Sequence, residues 1–252
     1  NEADDLHHDT FVMEKACKIV AVSSDVARYS LQRGARAEQL EVFPNGIDSE
    51  RFNLSAREGS IRHSLIPPGR FVIGFHGRLR PWHGFEMLTS VVRKLLERGL
   101  DVHLLVVGEG DFASLDGLPG DRFTRVEWQA HENMPLYVAA FDVLPLTYQA
   151  DLPCYFSPLK LMEAMGCGVV PLVPDLGDLP DTVSHMETGM VYRAGHENQL
   201  LEQITSLISN KKLLGSMSRR AALEAGQHSW ARIATYALAS SANCSRPGLQ
   251  PV

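Results

Sequence analysis

Apolar runs rich in Val, Ile and Leu recur along the middle of the chain, and each is followed by a stretch with helical periodicity. That rhythm predicts parallel βαβ units, whose strands are covered on both faces and so read as continuous apolar runs instead of alternating ones. The predicted strands are FVIGFHG from Phe71, DVHLLVVGEG from Asp101, FTRVEWQ from Phe123, DVLPL from Asp142 and VVPLVP from Val169. The clearest helix runs from about Gly84 to Arg98, with Phe85, Leu88, Val91, Val92, Leu95 and Leu96 on one face and Arg93, Lys94 and Glu97 opposite. Gly99 ends it. An all-helical block covers about His196 to Ser241, where Leu200, Leu201, Ile204, Leu207 and Ile208 repeat at helical spacing, and ANCSRPGLQPV beyond it reads as a loose tail.

The first forty residues form a separate block. CKIVAVSSDVARYSLQRG predicts a short buried strand at about Lys18 to Val22, a helix cap at Ser24 or Asp25, and an amphipathic helix closed by Gly34. A lone strand with flanking helices cannot bury itself, so this strand is expected to join a sheet made elsewhere. Pro44, Asn45 and Gly46 supply a turn between the blocks.

Composition narrows the class. With 44% hydrophobic and 21% charged residues, the 252-residue chain has enough apolar material for one or two cores and is no disordered segment. No window approaches the roughly 18 apolar residues of a membrane span, and the acidic, His-containing start is no signal peptide. The expectation is a cytoplasmic protein, with peripheral membrane association left open. A net charge of −6 disfavours a broad nucleic-acid-binding face, so any anion site must be small and local. Cys17, Cys154, Cys167 and Cys244 are dispersed, which argues against a zinc site and against a disulfide framework and fits a reducing compartment.

Candidate chemistry concentrates in two segments. In YFSPLKLMEAMGCGVV, Ser157 is a good N-cap and Pro158 a good first helical residue, so a helix is expected from Ser157 to Gly166, before the strand at Val169. Its positive end then faces the carboxyl edge of the sheet, where such sheets bind ligands. Lys160 sits in the first turn, where a cation opposes the macrodipole by about 0.3–1 kcal/mol unless an anion is present. Two readings stay open: a phosphate site, or a surface pair of Lys160 with Glu163. The second segment, HGRLRPWHG from His76 to Gly84, packs Arg78, Arg80 and His83 into a turn at the same edge. It suits a diphosphate, or else a solvated loop with Trp82 as a hydrophobic lid.

Other chemistries lack their motifs. There is no Asp-x-Asp pair for a divalent metal on a diphosphate, no Walker A loop, no Gly-x-Ser-x-Gly elbow and no Gly-x-Gly-x-x-Gly after a strand; GEGDFA at Gly108 reads as a strand-to-helix turn. His7 and His8 read as solvated, and His103 as a satisfied core or edge residue.

Taken in order, KIVAVSSDV, VFPNGIDSERF, GRLRPWHGFEML, LLVVGEGD, FDVLPL, YFSPLKLMEAMGCGVVPLVPD and ETGMVY resemble the second half of the family-four retaining glycosyltransferases of GT-B fold, over about Ile19 to Trp230. The resemblance implies an α/β fold with a doubly wound, Rossmann-like parallel sheet that binds a nucleotide sugar. It divides the chain into residues 1–43, the end of the N-terminal acceptor-binding domain; 44–227, the nucleotide-sugar-binding domain; 228–241, a helix crossing back towards the N-terminal domain; and 242–252, a loose tail. Position by position, Glu163 matches the second glutamate of a Glu-x7-Glu motif, which accepts hydrogen bonds from the ribose. Tyr155 stands where the first glutamate belongs. Tyr155, Phe156, Ser157, Pro158, Leu159 and Lys160 fall in the donor-binding segment, with the backbone of Ser157 to Lys160 meeting the diphosphate and the sugar. Arg78 matches the basic residue supporting the diphosphate, and His83 falls where many members carry lysine, which makes the local charge pH-dependent.

The function so implied is metal-independent transfer of a sugar from a nucleoside-diphosphate sugar to an acceptor with retention, with Arg78 and His83 as the catalytic pair and no cofactor. The acceptor is a glycan, lipid or small molecule, and the acceptor-binding half is expected from a partner chain or from the rest of a longer protein. The competing readings are a degenerate nucleotide-sugar-binding subunit without turnover and a GT-B nucleotide-sugar epimerase.

Overall fold

The computed structural model describes residues 2–149 and 159–242. Along the chain lie α1 (Glu2–Lys15), β1 (Ile19–Ala21), α2 (Ser24–Gln32), β2 (Leu40–Val42), α3 (Arg62–Leu65), β3 (Phe71–His76), α4 (Phe85–Glu97), β4 (Val102–Val107), β5 (Phe123–Val126), α5 (Met134–Val138), β6 (Val143–Pro145), α6 (Leu159–Gly166), β7 (Val170–Pro174), α7 (Leu179–Thr182), β8 (Met190–Tyr192), α8 (Glu197–Ser209), α9 (Lys211–Gly226) and α10 (Trp230–Ala242).

Strands β3 to β8 form one sheet in the order β5-β4-β3-β6-β7-β8, with every neighbouring pair parallel. The chain winds outward from β3 to one edge and then, starting with β6, to the other, which is the doubly wound arrangement expected. Alternate strand residues enter two cores. Val72, Leu105, Val107 and Leu144 face a cluster with Phe141, Leu161 and Met165, whereas Ile73, Phe75, Leu104 and Val106 face one with Leu88, Leu95, Leu200 and Ile204. Burial on both faces accounts for the continuous apolar runs in the sequence. The helical block after His196 is present as α8, α9 and α10, while GEGDFA leads only into a short 3-10 segment, Ala113–Gly117.

The join between the two windings is secured by charge. Arg62 grips Asp142 through two hydrogen bonds, Nη1 to Oδ1 at 3.0 Å and Nη2 to Oδ2 at 2.8 Å, and the same carboxylate accepts the Val72 N–H at 2.7 Å. The amino ends of β3 and β6 are thereby fixed side by side.

Two expectations for the first block are corrected. The strand at Lys18 to Val22 is no orphan: β1 pairs in parallel with β2, Ile19 opposite Leu40 and Ala21 opposite Val42, in a sheet of two strands among the described residues. The LEV run of β2 is too short and mixed to show periodicity, which is why the pairing is invisible in the sequence. The cap of α2 is Ser23, whose hydroxyl accepts the Val26 N–H at 3.2 Å, while the Ser24 N–H instead donates to Asp178 Oδ2 at 2.6 Å. The Pro44-Asn45-Gly46 turn leads to Ile47, whose N–H donates to His228 O at 2.9 Å and whose carbonyl accepts the Trp230 N–H at 3.2 Å. The rings of Phe43 and Tyr236 stack beside this joint, 5.1 Å apart.

Cysteine spacing also misled. Cys17 is disulfide-bonded, whereas Cys167 is a buried free thiol. Pairing depends on which Cα atoms the fold brings within about 4.4–6.8 Å, and dispersed positions in sequence do not reveal that. The argument for a reducing compartment loses its ground. Among the described residues, no helix is long and apolar enough to cross a membrane.

Gly74, in the middle of β3, is dictated by packing, since a Cβ there would lie 2.1 Å from the Phe141 ring. Gly74→Ala should destabilise the chain by about 1–3 kcal/mol through overpacking, and Phe141→Leu in the same background should recover part of the loss. Urea denaturation of the single and double variants checks this; additive losses would show that the two side chains do not compete for one space.

Three histidines, His76, His83 and His103, are buried. Burial first, and neighbouring cations second, hold His76 and His83 down to about 3 and His103 to about 4. The unfolded chain takes up protons on these imidazoles as pH falls through about 6.5, while the folded chain does not. Their contribution to stability should therefore be complete above about pH 7 and be lost progressively on acidification towards pH 3–4. Urea midpoints measured from pH 7.5 to 4.5 should fall across the whole interval, and a midpoint constant down to pH 5 would contradict the assignment.

Candidate functional site

The carboxyl ends of β3 and β6 are where the strand order reverses. Ile73 pairs with Val143, and β3 continues three residues further before its chain turns away. The turn carries Arg78 to His83 and is pinned to the segment after β6: Thr147 Oγ1 donates to His83 O at 2.7 Å. Gly84 makes this approach possible. It has φ +58°, and a Cβ there would lie 2.0 Å from Thr147 O, so a side chain is excluded both by conformation and by space.

His83 is fixed by this turn inside an aromatic enclosure. Its ring lies 5.7 Å from Tyr148 in a stacked arrangement and meets Phe75 edge-on at 5.6 Å, leaving the residue 8% exposed. The Arg80 backbone N–H donates to His83 Nδ1 at 3.0 Å. A nitrogen that accepts a backbone N–H carries no proton, so the ring is neutral and its proton sits on Nε2. The expected pH-dependent charge at His83 is corrected accordingly: burial, Lys160 and Arg80 together hold its protonation down at about 3.

Lys160, in the first turn of α6, reaches the same point. Its Nζ lies 3.1 Å from His83 Nε2 and 4.9 Å from the centre of the Phe75 ring. Burial pushes the ammonium down to about 8, opposed by the nearby Glu163 charge. Of the two sequence readings, the surface pair with Glu163 is therefore not the arrangement adopted. Glu163, one turn along the helix with its side chain 14% exposed, faces two imidazoles instead, with Oε2 3.7 Å from His76 Nδ1 and Oε1 3.8 Å from His131 Nδ1. Burial raises its pKa, while His131 and Lys160 pull it back.

A cavity of about 190 Å³ opens beside Glu163, bounded by His76, Gly77, Gly108, Trp128 and His131. His76 is 3% exposed, and its Nε2 is buried without a hydrogen-bond partner. A larger cavity of about 500 Å³ lies at the amino edge of the sheet, but its buried arginines are already committed. Arg57 donates to Cys167 O and Gly168 O, and Arg62 to Asp142. The unspent donors are at the carboxyl edge.

Of the residues singled out in the sequence, His83, Lys160 and Glu163 converge on this edge. Arg78 stands there too, but its side chain is 59% exposed and its guanidinium is held by Glu109. Leu159 begins α6 with an exposed side chain. Tyr155, Phe156, Ser157 and Pro158, with the expected helix start at Ser157, lie outside the described residues. Sequence reasoning missed His76, Trp128 and His131 as site residues. The signal was present, since each follows or ends a predicted strand, and parallel strands in this order bring their carboxyl ends together. His103 is satisfied as expected, with Nε2 2.9 Å from Thr124 Oγ1. Among the described residues, no group of three or more His, Cys, Asp or Glu is placed to hold a metal ion.

Comparison with known proteins gives this geometry its family. The model of the glycosyl transferases group 1 matches residues 70–210, more than half of the chain. A D-inositol 3-phosphate glycosyltransferase of Segniliparus rotundus is 26% identical over 221 residues, which are 85% of this chain and 49% of that protein. A GDP-mannose-dependent alpha-mannosyltransferase of Mycolicibacterium smegmatis is 31% identical over 191 residues, 75% of this chain and 48% of that protein. The chain thus spans about half the length of these curated relatives. The crystal structure of Anabaena Alr3699/HepE in complex with UDP-glucose shares the fold at a TM-score of 0.79 and 21% identity, covering 97% of this chain and 69% of that one. The resemblance to the C-terminal half of the GT-B glycosyltransferases holds, and the chain belongs to the glycosyl transferases group 1.

Proposed function

We propose that the chain binds a nucleoside-diphosphate sugar at the carboxyl edge of its six-stranded sheet and presents the sugar for transfer to an acceptor, with retention at the anomeric carbon and without a metal. The observation that carries the reading is the convergence of His83, Lys160 and Glu163 on the strand-order reversal between β3 and β6. The UDP-glucose held by the Anabaena neighbour and the GDP-mannose dependence of the mycobacterial relative both support this donor class, and they leave the base open.

In this reading the ribose hydroxyls donate to Glu163, whose carboxylate borders the cavity beside Gly77 and Trp128. The diphosphate lies over the start of α6, within reach of His83, Lys160 and Arg78. As the sugar–phosphate bond breaks, negative charge grows on the β-phosphate, and N–H donors fixed in advance lower the barrier, each by about 2.7–4 kcal/mol in comparable sites. An oxygen of the departing phosphate takes the proton of the acceptor hydroxyl. Residues 1–43, with Val20 and Val42 exposed on the two-stranded sheet, are assigned to the acceptor-binding side. The relatives' greater length supports an acceptor site built largely from further residues. We place the reaction in the cytoplasm.

Glu163→Ala should weaken binding of the preferred nucleoside diphosphate about 10- to 150-fold, the equivalent of about 1.5–3 kcal/mol for hydrogen bonds to a charged acceptor. Calorimetric titration with UDP, GDP and ADP checks this, and unchanged affinity would remove Glu163 from the site. Release of nucleoside diphosphate only when acceptor is present identifies transfer. Consumption of the nucleotide sugar without acceptor would identify an epimerase, and binding without consumption, even with the remaining half supplied, a subunit without turnover.

A further inference from the structure

The contact between His83 and Lys160 is chemically incomplete as it stands. His83 Nδ1 accepts the Arg80 N–H, so Nε2 carries the ring proton and points it at Lys160 Nζ, 3.1 Å away. An ammonium is also purely a donor. The two groups form a hydrogen bond only when Lys160 is a neutral amine whose lone pair accepts the imidazole N–H. When Lys160 is charged, two donors face each other in a buried setting, and the arrangement is satisfied by an oxyanion that accepts from both.

We propose that Lys160 is the cation that receives the donor's diphosphate, and that it works with His83 as a proton-linked pair: an amine–imidazole hydrogen bond when the lysine of the empty site has given up its proton, an ammonium and an imidazole N–H sharing one phosphate oxygen when occupied. The inference rests on the nucleoside-diphosphate reading above and adds to it which cation acts and how its proton is supplied. Arg78 is the alternative, but it is already neutralised by Glu109 and stands mostly in solvent, where ion pairs contribute little. Glu163 favours the charged lysine, burial disfavours it, and His76 and His83 stay neutral because burial and Lys160 hold both near 3. Arg80 acts on His83, His131 acts on Glu163, and Tyr148 lies against the His83 ring. Burial holds the empty-site lysine at about 8, so binding a phosphate above that pH must draw a proton from solvent.

The test is calorimetric titration of the 252-residue chain with UDP, GDP and ADP between pH 7.0 and 9.5, in paired buffers of different ionisation enthalpy. For the nucleotide that binds, the wild-type affinity should be level below about pH 8 and then fall, approaching tenfold per pH unit, with proton uptake rising towards one per nucleotide. Lys160→Met should bind at least tenfold more weakly at pH 7 and lose both the slope and the uptake, since titration of the nucleotide itself is common to the two proteins and cancels. Lys160→Arg should restore affinity at pH 9, because a guanidinium stays charged there, and Arg78→Gln should leave the wild-type slope unchanged. Wild-type binding with no proton uptake at pH 9 would overturn the proposal even if a variant failed to fold, and so would a Lys160→Met profile matching wild type. In both cases the donor reading would survive. If the wild-type chain bound none of the three nucleotides at any pH, the donor reading would fall and this inference with it.

Discussion

The reversal of strand order between β3 and β6 is the constraint on which the rest of the structure depends. Two windings that leave the same pair of strands in opposite directions cannot both cover the carboxyl ends of those strands, and a crevice is left there by topology alone. The Arg62–Asp142 grip makes the crevice asymmetric. It ties the amino ends of β3 and β6 through side-chain and backbone bonds, so the chain is closed at one edge and divergent at the other. The turn from Arg78 to His83 then lies across the open end, held down by Thr147 and by the absence of a side chain at Gly84.

What occupies the crevice follows from where polar groups remain unspent. At the amino edge the buried arginines donate to carbonyls and to Asp142, so that cavity is a structural knot in spite of its volume. At the carboxyl edge His83 and Lys160 offer donors to each other, and Glu163 stands more than 3.5 Å from either imidazole it faces. Polar groups with poor partners are costly to bury, His76 Nε2 beside Glu163 most of all, and the cost is recovered when a ligand supplies acceptors to His83 and Lys160 and donors to Glu163. In the proposed reading a diphosphate joined to a ribose does both, in the order in which α6 presents Lys160 and then Glu163.

The large sheet was legible because burial on both faces forces continuous apolar runs, and four of its six strands carry one, while β5, an edge strand reading FTRV, is only half buried. β8 and β2, each three residues long, are too short to announce themselves, whereas β1 was read from its Ile-Val-Ala run but not its pairing. Lys160 and Glu163 were legible as chemistry because a cation in the first turn of a helix conflicts with the helix dipole and calls for a reason. His83 was visible as a candidate but not in its protonation state. That state is set by a single backbone N–H, from Arg80, three residues earlier in a 3-10 turn, and no pattern in the sequence announces such a bond. His76 and His131 stand at or beyond the carboxyl ends of predicted strands, a position that marks the sheet edge, but their partnership with Glu163 is set by tertiary placement.

The small sheet shows how the rest of the molecule is carried by the same economy of contacts. A two-stranded parallel sheet is not stable by itself in water, and β1 with β2 is held by three separate attachments. Ser23 caps α2 from within the block, Asp178, between β7 and α7, accepts the Ser24 N–H, and Ile47 is bonded on both its N–H and its carbonyl to the start of α10. The last two attachments reach the large domain at different points, β7 to α7 on one hand and the α9–α10 junction on the other. The small block is therefore anchored against both sliding and rotation, whereas a single linker would leave it to swing. Because Asp178 follows β7, at the same carboxyl edge as the crevice, one of these anchors ends beside the segment that frames the candidate site. The orientation of the first block is thus set from the edge that carries the candidate site.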